Sequence, residues 1–135
     1  KISIGLLEHT LRSYRSNSFT KDNFSLKMLT TSQKTLKNRG KKIIEYQSKK
    51  KIKQLGINLE PSNVEAGSGS LPDDKIESMA LAFRPREMKV NDLAKLLRCG
   101  SIPVIGYTSN NTYYIDLKAV LPNQIIKLAK AIKEI

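Results

Sequence analysis

The chain has 135 residues, 39% of them hydrophobic, and a formal net charge of +12. That length suits one domain with a modest core and argues against two separate cores. No run of 18 or more apolar residues occurs, and the opening KISIGLLEHTLRSYRS turns polar too soon for a signal peptide, so a soluble protein with no membrane partner is expected. One cysteine, Cys99, and one histidine, His9, can form neither an internal disulfide nor a four-ligand structural zinc site, which fits a cytoplasmic setting.

The first predicted element is a helix, because Ile4, Leu7, Leu11 and Tyr14 recur at spacings of three and four. No capping residue precedes it, and a longer polypeptide cut upstream of Lys1 is expected. SNSFTKDN reads as a polar connection and FSLKMLTTS as a helical turn or two ending in a loop. A boundary is expected there, with residues 1–31 a helical connecting segment and 32–135 a second domain.

From Ser32, a candidate N-cap, to Leu55, followed by Gly56 as C-terminal cap, the sequence can carry one helix of about 36 Å. Its apolar stripe is narrow (Leu36, Ile43, Ile44, Ile52, Leu55), and Gly40 should weaken its middle by roughly 1 kcal/mol relative to alanine. Between Lys1 and Glu60 stand 14 basic and 4 acidic residues, against 10 and 8 from Pro61 onward; nine of the basic ones fall between Lys34 and Lys53. Lys41, Lys42, Lys49, Lys50, Lys51 and Lys53 are therefore candidates for a phosphate-binding surface, the alternative being an ordinary solvated helix face.

From Asn63 the expected order is strand, strand, helix, strand, strand, helix: an α+β layer with an antiparallel or mixed sheet and helices on one face. SMALAFR reads as a buried strand and VNDLAKLLRCG as a short helix with Leu93, Leu96 and Leu97 on one side. IPVIGYT and TYYIDL read as a hairpin turning through Ser109, Asn110 and Asn111, since asparagine tolerates the positive φ of tight turns. The last helix starts near Pro122, with Ile125, Leu128, Ala129, Ile132 and Ile135 on one face.

AGSGSLP matches neither a P-loop nor a dinucleotide fingerprint, and the sequence after it is a turn and a strand instead of a helix. Gly67 and Gly69 then serve a sharp chain reversal, while Ser68 and Ser70 can also line a cleft shared with another domain. His9 has no nucleophile partner, Cys99 reads as a small buried hydrophobe, and Asp73, Asp74 and Glu77 read as turn and strand-edge residues. Tyr107, Tyr113 and Tyr114 can pack within a sheet or stack on bases. No catalytic constellation stands out.

Two stretches carry a resemblance. GSGSLPDDKIESMALAF and, about twenty residues later, PVIGYTSNNTYYIDLK resemble the C-terminal part of bacterial selenocysteine synthases, the L-seryl-tRNA(Sec) selenium transferases. That family shows a Gly-rich run ending in S-L-P (here Gly67 to Pro72), an A-L-x-F strand (Ala80 to Phe83), P-V-I-G (Pro103 to Gly106) and a hairpin closing in L-D-L-R (Ile115 to Lys118). KISIGLLEHTLRSYR and LKMLTTS are similar to segments of the same family in the same order. The family's arginine after P-V-I-G is replaced by Tyr107 and that of L-D-L-R by Lys118; Asn110-Asn111 stands for an Asp-Gly turn and Glu77 for a proline. A contact made by either arginine's fork would be weakened or lost.

The resemblance implies the small C-terminal domain of an aspartate-aminotransferase-like, fold-type-I pyridoxal phosphate enzyme. The cofactor's lysine would belong to a large domain of the same polypeptide, upstream of Lys1, so that this chain alone holds no catalytic or cofactor-binding residue. The implied reaction converts seryl-tRNA(Sec) to selenocysteinyl-tRNA(Sec) with selenophosphate, the cofactor acting as electron sink. The implied partners are the large domain, tRNA(Sec) and further copies, as dimers assembled in a ring. Gly67, Ser68, Gly69 and Ser70 would face the cleft. The alternative is a stand-alone basic RNA-binding or assembly module.

Overall fold

In a computed structural model, the three-and-four spacing of Ile4, Leu7, Leu11 and Tyr14 winds into a helix, α1 (Ile2–Arg15), whose start has no side-chain cap. The structure describes residues 1–65 and 75–135, which divide into two units, Lys1–Thr31 and Ser32–Ile135. In the first unit Asn17 takes a φ of 53° and turns the chain, so that Phe19 at the start of α2 (Phe19–Asp22) stacks on Tyr14 with ring centroids 4.8 Å apart. Asn23 then caps α3 (Phe24–Leu29), its Oδ1 accepting from the Leu26 N–H at 3.0 Å.

The second unit begins with a correction. The single helix expected from Ser32 to Leu55 is two, α4 (Gln33–Glu45) and α5 (Lys49–Leu55). Ser48 is extended (ψ 150°) and its Oγ accepts from the Lys51 N–H at 3.2 Å, so the serine caps a new helix instead of continuing the old one. Gln47 is buried at the break and donates to the carbonyls of Ile43 (3.2 Å) and Ala129 (2.8 Å). Gly40 has a use that its helix propensity hides. A Cβ there would overlap the Leu59 side chain and come within 2.9 Å of Leu117, so the glycine lets α4 lie close against the sheet.

The sheet has four antiparallel strands in the order β1 (Ile57–Val64), β2 (Ile76–Phe83), β4 (Thr112–Asp116), β3 (Tyr107–Ser109). The first strand starts at Ile57, earlier than the Asn63 expected, and it accommodates Pro61 because an edge strand can spare one N–H. Strand β3 is shorter than IPVIGYT suggested, since only Tyr107–Ser109 pairs with β4. The turn between them has Asn110 and Asn111 at φ 47° and 55°.

Helix α6 (Val90–Cys99) follows β2, and α7 (Ile125–Glu134) closes the chain after a 3-10 turn at Pro122–Gln124. Leu36 and Ile43 of α4, Leu93 and Leu97 of α6, and Leu128 and Ile132 of α7 form one core with Ile57, Leu81, Phe83, Tyr113 and Ile115 of the sheet. Leu96, expected on the inner side of α6, is 47% exposed, because buried Leu93 and Leu97 already define that side and Leu96 lies one residue round the helix.

Gly56 ends α5 with φ +57°, and a Cβ there would run into the carbonyl of Arg84. Gly56→Ala is therefore expected to cost about 1–3 kcal/mol through left-handed strain and the forced displacement of β2's end, measured as a lowered urea midpoint with an unchanged slope.

Candidate functional site

Strand register decides which polar groups meet. Ser62 of β1 lies opposite Ser78 of β2, Ala80 lies opposite Asp116 of β4, and so Ser62, Ser78 and Asp116 share the sheet face opposite the core. The Asp116 carboxylate accepts the Ser62 hydroxyl (2.7 Å) on Oδ2, and the Ser78 hydroxyl (2.6 Å) and Lys118 N–H (2.9 Å) on Oδ1. It thereby ties three strands together and caps the 3-10 turn Leu117–Ala119. Gln33 of α4 donates to the Ser78 carbonyl at 3.3 Å. With both oxygens held by donors, Asp116 is an anchor and not a general base.

Lys118 is only 5% exposed. Burial pushes its ammonium below the ordinary lysine range, while the carboxylates of Asp116 and Glu77 pull it back up. The same sheet face carries a bidentate pair, Arg84 donating to Glu60 at 2.5 and 3.0 Å. That pairing holds the Glu60 carboxyl below its usual value, against a smaller opposing effect of burial. Beside it the rings of Tyr107 and Tyr114 stack at 5.2 Å and 19°. Partial burial, with Asp116 and Tyr114 nearby, raises the Tyr107 phenol. The third tyrosine of the hairpin, Tyr113, points to the core, where burial raises its phenol and its hydroxyl donates to the Val104 carbonyl at 3.4 Å. Sequence alone did not separate these three roles. The signal was present in the alternation of 113 and 114, which puts neighbours on opposite faces.

The candidates Gly67, Ser68, Gly69 and Ser70, with Asp73 and Asp74, lie outside the described residues. Glu77 is exposed on β2 opposite Asn63. Cys99, expected to be buried, is exposed at the end of α6, because the inward positions of that helix are taken by Val90, Leu93 and Leu97. Of the basic candidates, Lys41 and Lys42 are exposed on α4, Lys49, Lys50 and Lys53 on α5, and Lys51 is half-buried. The break at Tyr46–Ser48 divides them into two groups in place of one continuous row. Among the described residues no group of three or more His, Cys, Asp or Glu side chains is placed to hold a metal ion, and no helix is long and apolar enough to cross a membrane.

Pyridoxal phosphate requires an imine-forming lysine and an acid for its ring nitrogen in one cavity. The described residues do not fit it. Two described cavities do pair a lysine with an acid, Lys95 with Asp92 and Glu134 and Lys127 with Asp116, but both lysines are exposed and lack the dry pocket that an imine-forming amine needs. Lys118 is buried but lines none of the five described cavities.

Two expectations follow from this geometry. Asp116→Ala removes three bonds and strands the fully buried Ser78 hydroxyl, so a loss of about 3 kcal/mol is expected in thermal or urea unfolding. For Glu60 the lowered folded pKa means its contribution is complete above the unfolded value near ~4.3 and disappears as pH falls through the lower folded value. Melting curves of wild type and Glu60→Gln should therefore differ by less than about 1 kcal/mol at neutral pH, the pair being partly exposed, and converge in acid.

The family described as "SelA: L-seryl-tRNA selenium transferase" matches residues 1–121. An L-seryl-tRNA(Sec) selenium transferase of Desulfotalea psychrophila is 28% identical over 135 residues, covering 99% of this chain and 29% of the relative. That of Photorhabdus laumondii is 31% identical over 124 residues (89% of this chain, 27% of the relative), and that of Aliarcobacter butzleri 30% identical over 136 residues (100% and 28%). The chain thus spans little more than a quarter of the length of these relatives, and along nearly all of its own length it belongs to the SelA family of L-seryl-tRNA selenium transferases.

Proposed function

We propose that this chain is the small α+β domain, with its connecting helices, of a longer L-seryl-tRNA(Sec) selenium transferase that converts seryl-tRNA(Sec) to selenocysteinyl-tRNA(Sec) with selenophosphate in the cytoplasm. The observation that carries this reading is a family match spanning residues 1–121, against relatives more than three times as long. Pyridoxal phosphate would be held by the rest of the polypeptide, since the residues described here do not assemble a site for it. Residues 1–31 would lead from that larger part, and 32–135 would form the small domain. The parent would work as dimers assembled in a ring.

Within that reading the chain's own residues have a supporting task. Asp116 with its serine and backbone donors holds the end of the sheet from which residues 66–74 depart, the segment of the cleft-facing candidates Gly67 to Ser70. Tyr107 occupies the family's arginine position on the sheet face opposite the core, so a phenol, which carries no charge at neutral pH, replaces a guanidinium there.

The cofactor assignment is tested by incubating the 135-residue chain and the parent polypeptide with pyridoxal phosphate, reducing with borohydride and mapping labelled lysines by mass spectrometry. One stoichiometric label is expected in the parent, outside this chain, and none in the chain alone. A stoichiometric label on Lys118 or any other lysine here would overturn the assignment.

A further inference from the structure

The sequence shows a run of basic residues but not what lies beside it. Three contacts place α7 alongside α4 and give the pair a direction. Arg39 donates to the Val120 carbonyl just before α7 (3.3 Å), Gln47 donates to the Ala129 carbonyl (2.8 Å), and the Lys133 ammonium sits 5.6 Å from the centre of the Tyr46 ring. Residues rising along α4 meet residues rising along α7, so the two helices run in the same sense. Their dipoles are parallel, and both positive ends lie at one end of the pair.

A groove of about 380 Å³ opens between α4 and the start of α7. Thr35, Asn38, Arg39 and Lys42 form one wall, at the i, i+3, i+4, i+7 positions of a single helix face. Pro122, Ile125 and Ile126 form the other, and Ile126 is 52% exposed. The groove therefore offers an amide, a guanidinium and an ammonium against an apolar wall, with the Thr35 hydroxyl shared with the Ser32 hydroxyl at 3.0 Å, and none of its described lining residues is acidic. Arg39 is anchored by the bond to Val120, which orients its planar fork at the groove's edge while further donors remain in the fork.

Another basic hollow with no acid among its described lining residues occurs in the first unit, lined by His9, Arg12, Ser13, Arg15, Ser16 and Ser18. It sits at the carbonyl end of α1, where the helix dipole repels anions. Ser13 and Ser16 donate to helix carbonyls, and Arg12 is paired with Glu8 at 2.7 Å. The α4–α7 groove instead has the positive end of α7 on one side. Cationic donors along α4 and an apolar wall suit an alternation of phosphate and sugar better than an isolated anion.

We propose that the α4–α7 groove, through Thr35, Asn38, Arg39 and Lys42, binds the ribose-phosphate backbone of an RNA. The inference rests on the reading that the parent enzyme handles a tRNA, and it assigns this chain a defined share of that contact, distinct from the lysines of α5. Contact of this kind carries affinity without base specificity, and it falls with salt.

The test is fluorescence anisotropy of a labelled RNA hairpin with the full 135-residue chain over a salt series. Arg39→Gln/Lys42→Gln is compared with Lys89→Gln/Lys95→Gln at α6, which removes the same charge elsewhere. The groove variant is expected to bind roughly tenfold more weakly and to lose about 2 from the log–log salt slope, while the α6 variant stays within about twofold of wild type. Since Arg39 also bonds Val120, Lys42→Gln alone is measured too, with a loss of about threefold expected and an unchanged melting temperature as the check on folding. Equal losses in the two double variants would overturn the groove and leave diffuse charge attraction. No binding by wild type would overturn both the groove and the RNA-contacting role of this chain.

Discussion

The second unit depends on its inner strand β2 being bulky on one face and small on the other. β2 lies between β1 and β4, and its alternate residues Met79, Leu81 and Phe83 press into the helices while Ser78, Ala80 and Ala82 face away. Burying Leu81 and Phe83 fully contributes about 1.5–3 kcal/mol each, which is why α4, α6 and α7 all gather on that side. The outer face of β2 has no such side chains to bury. It is held laterally instead, by the Asp116 carboxylate across β1, β2 and β4 and by the Glu60–Arg84 pair between β1 and the end of β2.

That division of labour separates structure from surface. Asp116 has its oxygens occupied by two hydroxyls and a backbone N–H, so its charge fixes strand geometry and is not available for chemistry. Tyr107 and Tyr114, on the same face, are stacked on one another and only partly covered. Tyr107 and Lys118 thus fall in different settings. Tyr107 lies on an accessible face, whereas Lys118 is a cation in a nearly closed position where burial works against its charge.

The excess positive charge also acquires a shape. Lysines in a single long helix would spread around its axis over about 36 Å. With the chain broken at Ser48 and α7 laid parallel to α4, Arg39 and Lys42 belong instead to a two-walled groove between α4 and the start of α7. Isolated exposed cations contribute little to stability, but a focused group attracts polyanions over roughly a Debye length.

Local order was legible where the physics is local. The period of Ile4, Leu7, Leu11 and Tyr14 set α1, the adjacent asparagines set the β3–β4 turn, and the sequence around Ala80 to Phe83 marked a buried strand. The break at Ser48 was local too, but a serine cap and a helical interior position look alike until Gln47 is seen bonded to Ala129. The strand ends at Ile57 and Tyr107 depended on pairing partners that no window of the sequence contains. Sequence by itself therefore determined most of the element order, the α+β class and the family. Only tertiary structure decided that Ser62, Ser78 and Asp116 meet and that Arg39 faces the start of α7, because those contacts join residues 38 to 81 positions apart, brought together by sheet register and core packing and not by any local spacing.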